Sequence, residues 1–562
     1  MSLRNRIFLF FSLSALAILA ACGGSSGKPI IPTPPPSGGF TNSSLNGTYT
    51  FSISGANGNG LFAMAGSFVA CGCSQGNITS GTIDIVDPTG AQPQIPLLTS
   101  SVYSISADGR GVAQLFFNTA TVLNYEMDVD FVLTSSSHGL IIRYDQNGTG
   151  SGTIDLQDPS LSQSQLASQF YAFSVSGGDF SNRSLASVGE FQLDSTGAIT
   201  AGSGYADFNY SAVSYSETGL TGSLVLGSGI TPGMATLNAP TFSASPLVFD
   251  VYAVDSTHLK LIEADGLSIL VGDVLISPTN AFPSGNLAFN MAGPDTGGNL
   301  MVMGGIMASN ISTGASTGVI SSGFEDVNDN GLVDNGNNTV NNFTGALAES
   351  PIGSGRWVVT LSNFVGGATF IAYPFNGGLV MLEADTGLNA GVSGGSALVQ
   401  QSGLTDLASA GYGLNVSGAD LNVVPATEAD EIAEFKASSG NLTGTIDIND
   451  GGSLATVGLT GTYGAAPVGS FTGTGSATLQ AGFAGMFYYL VDDSTALFIS
   501  TDPTLPGLGS MQVQTTPSSA AAKSVQTPRL IPMPHVVAHR KSAINPNRKT
   551  TLVNRKIQVS RH

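Results

Sequence analysis

Four groups of residues have types and spacings that could do chemistry. The densest is Asp326-Val327-Asn328-Asp329-Asn330-Gly331-Leu332-Val333-Asp334. Asp326, Asn328, Asn330 and Asp334 stand at positions 1, 3, 5 and 9 of a calcium-loop spacing, and the glycine at position 6 permits the sharp turn that lets their oxygens converge. Position 12 is Asn337 instead of a bidentate Glu, and Asn, Asp and Gly also favour turns for backbone reasons. The stretch therefore reads either as a weak, extracellular-type calcium site or as an Asx-rich hairpin. In the second group, His138 and His258 each stand seven residues before an acid that recurs at Asp145, Asp265, Asp385 and Asp502. A His and Asp pair suits general acid–base work, but no nucleophile recurs beside it, and an acid repeated at strand ends is more often a turn cap, so catalysis is not expected. The third group is Cys71-Gly72-Cys73, open between a local disulfide and two free thiols in an oxidising compartment. Two sulfurs without a nearby His do not complete a zinc shell. The fourth is a set of tyrosines, Tyr125, Tyr252, Tyr373, Tyr488 and Tyr489, which could stack on a sugar or fill a core, although with Trp357 the single tryptophan, aromatic platforms for carbohydrate are scarce. Filling a core is the expected role.

The elements that must position these residues are strands. A short strand returns four times, as Tyr49 to Gly55, Tyr171 to Gly177, Leu287 to Gly293 and Tyr412 to Gly418. The copies lie roughly 120 residues apart, a domain spacing and not that of a solenoid or propeller blade. Each copy opens a module of period-two alternation bounded by Gly, Asn and Ser, the pattern of half-buried strands and hairpins. The modules span residues 40–158, 168–278, 284–400 and 409–515. About eight sequential antiparallel strands per module, joined by short turns, remove their exposed edges most simply by closing into a small up-and-down barrel. A β-sandwich is the alternative. The repeats are similar to uncharacterised tandem β-repeats of secreted bacterial proteins, a resemblance that implies no activity.

The N-terminus reads as an export signal. Arg4 and Arg6 precede an apolar run from Ile7 to Ala21 that is too short to span a bilayer. The run ends Leu19-Ala20-Ala21-Cys22-Gly23, which resembles a bacterial lipoprotein signal peptide with its lipobox. The resemblance implies that residues 1–21 are removed and that Cys22 becomes the acylated N-terminus. Gly23, in place of Asp after the cysteine, implies passage to the outer membrane. Residues 22–39 then form a Gly/Ser/Pro tether. In extended polyproline geometry it reaches roughly 50 Å at about 3.1 Å per residue, so the body is displayed and not embedded.

Charge is split along the chain. All 38 acidic residues lie between residues 40 and 515, where the only basic residues are Arg110, Arg143, Arg183, Lys260, Arg356 and Lys436. Residues 516–562 carry Lys and Arg from Lys523 to Arg561 and no acid, lack core-forming alternation, and read as a disordered tail able to meet anionic envelope polymer or lipid. The acidic body is not expected to bind nucleic acid. These features point to a lipid-anchored, non-enzymatic envelope or surface protein whose modules act as a multivalent binding and spacer array. The alternative is a set of barrels carrying small apolar ligands.

Overall fold

In the recurring first strand, Tyr49, Phe51 and Ile53 alternate with Thr50, Ser52 and Ser54, and this alternation decides both the interior and the exterior of a module. The computed structural model describes residues 39–119, 122–295, 297–334, 341–365, 367–386 and 390–516, with Asp334 described by its backbone alone. Residues 1–38, on which the expected signal segment, Cys22 and most of the expected tether fall, and residues 517–562, the expected tail, lie outside the described residues. The described chain is all-β apart from a turn of 3-10 helix at Asn42–Ser44 and a short helix at Gln163–Leu166.

Each module is an antiparallel meander whose first strand also pairs with its last. In module one, Asn46–Asn57 lies between Gly60–Cys71 and Gly148–Leu156. The same three-strand centre recurs around Phe170–Asp179, Gly285–Pro294 and Gly411–Asp420. Module four is a closed barrel of eight strands. Module three closes likewise where Leu300–Asn310 pairs with Thr317–Asp329, leaving the short strand Leu332–Asp334 as a spur. Modules one and two are nine-stranded sheets curled about a core. Their seams are held by isolated bridges, such as Asn77 with Val102 and Ala198 with Ser223.

The inward residues fill the barrels. Tyr49, Phe51, Ile53, Phe117 and Phe131 belong to one buried cluster, and each other module has its own. The glycine that ends each first strand is required by a close approach. A Cβ on Gly55, Gly177 or Gly293 would fall 2.1, 1.9 or 1.9 Å from a carbonyl oxygen of the segment crossing beside it.

The outward residues are buried too, which alternation alone does not foresee: Thr50, Ser52 and Ser54 are at most 2% exposed. The reason is that every module packs its first three strands against the last three strands of the next. Module one meets module two in this way, two meets three, three meets four, and four meets one. Small outward side chains let the sheets approach, and the joints carry apolar clusters, for example Leu61, Ala63, Ala65 and Val86 against Tyr252, Ile262, Ile269 and Val271. A head-to-tail interface closes into a ring when its rotation divides the circle; here it closes after four modules. Bonds between the end of each module and the next module mark the same repeat. Asp158 N–H donates to Val254 O, Asn376 N–H to Ile276 O, Gln401 N–H to Val491 O, and Thr515 N–H to Thr134 O. The last of these bonds ties the end of module four onto module one.

Candidate functional site

The polar side chains able to do chemistry are concentrated in the four joints, and they follow a repeat of their own. The third strands place Asp84, Asp207, Asp326 and Asp447 at equivalent register positions, opposite Ala65, Val188, Gly304 and Ile432. Tyr373 donates its hydroxyl to Asp207 Oδ2 at 2.6 Å and Tyr489 donates to Asp326 Oδ2 at 2.7 Å, each tyrosine coming from the next module. Tyr252 is the equivalent neighbour of Asp84 at the joint between modules one and two, but its hydroxyl makes no hydrogen bond there. Burial first, then the neighbouring carboxylates, pushes these phenols up, whereas burial together with nearby Asp250 lifts Asp84 to about 7. At the joint from module four to module one a valine, Val132, stands at the tyrosine's position. There Thr456 donates to Asp447 Oδ1 at 2.6 Å and bonds Tyr144 at 3.1 Å.

Two residues beyond each of the last three aspartates is an asparagine that clasps the neighbouring module's final hairpin. Asn209 Nδ2 donates to Glu383 O and Gly391 O, both at 2.8 Å. Asn328 Nδ2 donates to Ser500 O at 3.0 Å and Asp502 O at 2.9 Å. Asn449 Nδ2 is shared among Arg143 O at 2.8 Å, Asp145 O at 3.3 Å and Gly148 O at 2.8 Å. Val86 takes this place in module one and packs in the apolar joint with module two.

That joint instead holds a buried charge cluster. Lys260 is fully buried, with its Nζ 3.1 Å from Asp155 Oδ2, 3.7 Å from Asp273 Oδ1 and 2.6 Å from Thr153 Oγ1. His138 Nδ1 lies 2.7 Å from Asp155 Oδ1, and His258 Nε2 lies 2.6 Å from Asp273 Oδ1. Burial acts to raise the Asp155 pKa, but Lys260 and then His138 outweigh it and hold the carboxyl well below its usual range. Glu190, wholly buried at the next joint near Glu349, is pushed by burial up to about 9 and is a neutral acid at pH 7.

The sequence-derived candidates fall as follows. Asp326 and Asn328 face module four as just described, and Asn330 with Gly331 forms the two-residue turn of a hairpin, both at positive φ, with Asp329 paired to Leu332. The stretch is thus an Asx-rich hairpin whose Asp-x-Asn portion belongs to the repeated clasp; the Asp334 side chain and Asn337 lie outside the described residues. Among the described residues, no group of three or more His, Cys, Asp and Glu is placed to hold a metal ion. The two histidines pair with Asp155 and Asp273, not with the recurring acids downstream. Those acids cap turns: Asp145 accepts from Asn147 N–H, Asp265 from Leu267 and Val248, Asp385 from Ala368, and Asp502 from Thr504 and Ala484. Cys71 and Cys73 are joined in a disulfide. Tyr488 and Trp357 are buried in barrel cores, whereas Tyr252, Tyr373 and Tyr489 serve the joints. The recurrence of Asp-x-Asn at 207, 326 and 447 was visible in the sequence and was the signal for the clasp; the pairing of His138 with Asp155 left none.

No protein-family model matches the chain, and no curated protein matches it. Among solved structures it is similar to a Nitrosomonas europaea protein provisionally described as AttH. That likeness has 9% identity, covers 46% of this chain and 98% of that chain, and has a TM-score of 0.15. At that score it supports no conclusion about this chain.

Proposed function

We propose that this chain is an exported, lipid-anchored, non-enzymatic protein of the bacterial envelope that displays a rigid ring of four β-modules as a binding platform. The observation that carries the reading is the order Arg4, Arg6, apolar run, Leu19-Ala20-Ala21-Cys22 and Pro-rich tether ahead of a folded body. The distribution of polar groups supports the non-enzymatic part. Lys260, Asp155, Asp273 and His258 are at most 2% exposed and are engaged with one another. Four fused modules present four related surfaces at fixed spacing, which favours a repetitive partner such as an envelope polymer through avidity.

Two measurements test this. Mass spectrometry of the mature protein should find diacylglycerol on Cys22, and Cys22→Ser should leave the chain unacylated and released by mild washing; an unmodified wild-type Cys22 refutes the anchor. Capture of native envelope polymers by the full chain, run with calcium and with chelator, should be saturable. No capture in either condition refutes the platform reading, and loss in chelator alone would place calcium in it.

A further inference from the structure

The strand that follows the third in each module has an outer edge, and the four modules treat that edge differently. Gly90–Pro96 of module one carries Pro93 and Pro96, which have no N–H to offer. Val213–Glu217 of module two has only five residues, and Asn341–Glu349 of module three is paired on both sides. Ser453–Ala465 of module four has thirteen residues and pairs with Asn441–Asp450 from Ser453 to Thr462, but Thr474–Leu479 covers its other edge only from Gly461 onward. Residues 453–458 are all exposed, and a Cβ on Gly458 would meet nothing within 4 Å.

The turn decides which backbone groups this edge presents. Gly451 and Gly452 form a two-residue loop with φ of 54° and 95°, and the pair that closes such a loop, here Asp450 with Ser453, is a hydrogen-bonded one. Antiparallel bonding alternates, so 455, 457 and 459 bond inward, whereas 454, 456, 458 and 460 turn their N–H and C=O outward. Gln480 N–H donates to Thr460 O. Among the described residues no strand pairs with the outward groups of 454, 456 and 458. Such an edge is a template for strand addition unless charge, proline or shortness guards it, and residues 453–460 read Ser-Leu-Ala-Thr-Val-Gly-Leu-Thr, with none of these guards.

We infer that this edge binds a second copy of the chain, strand to strand and antiparallel about a twofold axis at Thr456. The outward groups are symmetric about that residue. In this register 454 meets 458 of the copy and 456 meets its own equivalent, so about six backbone hydrogen bonds form and every donor finds an acceptor. Ala455 then lies opposite Val457 of the copy, covering side chains that the barrel leaves half-open. Charge favours the same occupant. The chain carries a formal net charge of −20, but residues 451–491 contain no Asp, Glu, Lys, Arg or His, so two acidic bodies can approach here without setting like charges together.

Sedimentation equilibrium of the full chain, in detergent micelles in excess over chains, should show a reversible dimer. Leu454→Lys, which places a charge on the edge, and Gly458→Pro, which removes an outward N–H and no inward one, should each weaken it by at least about tenfold. Ile352→Lys, at a 78% exposed site in module three, should leave it unchanged. Ala455→Cys mixed with Val457→Cys should cross-link in preference to either variant with itself. A monomer through the micromolar range, a dimer indifferent to both edge variants, or cross-linking without preference overturns the inference. So does a monomer whose amides at 454, 456 and 458 resist exchange until the chain is ended at Thr516, since residues 517–562 would then hold the edge.

Discussion

Asn449 is the sharpest place to test the ring, because it stands at the joint that closes it. Its amide serves three carbonyls of the Arg143–Gly148 hairpin, its Oδ1 accepts from Gly452 N–H, and it is wholly buried. Asn449→Ala removes two donors from carbonyls that water cannot reach. A net hydrogen bond contributes about 1 kcal/mol and a stranded buried polar group costs about 1–3 kcal/mol, so the joint should weaken by about 3 kcal/mol. At about 1.4 kcal/mol per decade, that is roughly a hundredfold in the equilibrium between closed and open joint. Asn449→Asp should cost more, since it sets a carboxylate against the same carbonyls. Hydrogen exchange resolves the effect locally: amides of 139–148 and 513–515 should lose protection by about that factor, while the joint between modules two and three keeps its own. Asn441→Ala, on an exposed hairpin, should change protection by less than about 0.5 kcal/mol. If Asn449→Ala matches that control, the clasp does not hold the ring and the reasoning from buried carbonyls is wrong.

Other outcomes follow from the same joints. Glu190 and Glu263 are raised to about 9 and Glu431 to about 8, in each case first by burial. The folded chain thus keeps protons that the unfolded chain releases near pH 4, and this stability is complete below pH 4 and lost as pH rises through 8–9. Asp155 opposes this only in acid, since its lowered pKa contributes stability above about pH 4 that is lost as pH falls further. Thermal midpoints should therefore fall between pH 5 and pH 9, and a rise over that range would contradict the burial of these acids. Lys260→Met strands Asp155 and Asp273 in the joint between modules one and two and should cost about 3–5 kcal/mol in urea unfolding; adding Asp155→Asn should recover part of it, and strict additivity of the two changes would exclude the coupling. Gly152→Ala sets a Cβ 1.8 Å from Ser52 O and should destabilise module one by about 1–3 kcal/mol, whereas Gly458→Ala, with open space around it, should change the urea midpoint little.

The barrels were legible in the sequence because their information is local. Period-two alternation, short turns rich in Gly, Asn and Ser and a first strand repeated four times specify meanders of about eight strands, and inward Tyr49, Phe51 and Ile53 need no distant partner to be read as core. The same residues could not reveal the ring. Thr50, Ser52 and Ser54 have the polarity of a solvated face, and only a neighbouring module supplies the cover that buries them. Asp326-Val327-Asn328 resembles the start of a calcium loop because the short side chains that ligate cations also bond carbonyls; which they meet depends on Tyr489, Ser500 and Asp502, more than 160 residues away. Similarly, His138 could be placed in a hairpin from its flanks, but its partner Asp155 and the adjoining Lys260 of module two are chosen by how two finished modules dock. The sequence alone determined the strands and the modules. The tertiary structure decided which polar groups became joints, because burial and long-range pairing exist only once four modules have packed on one another.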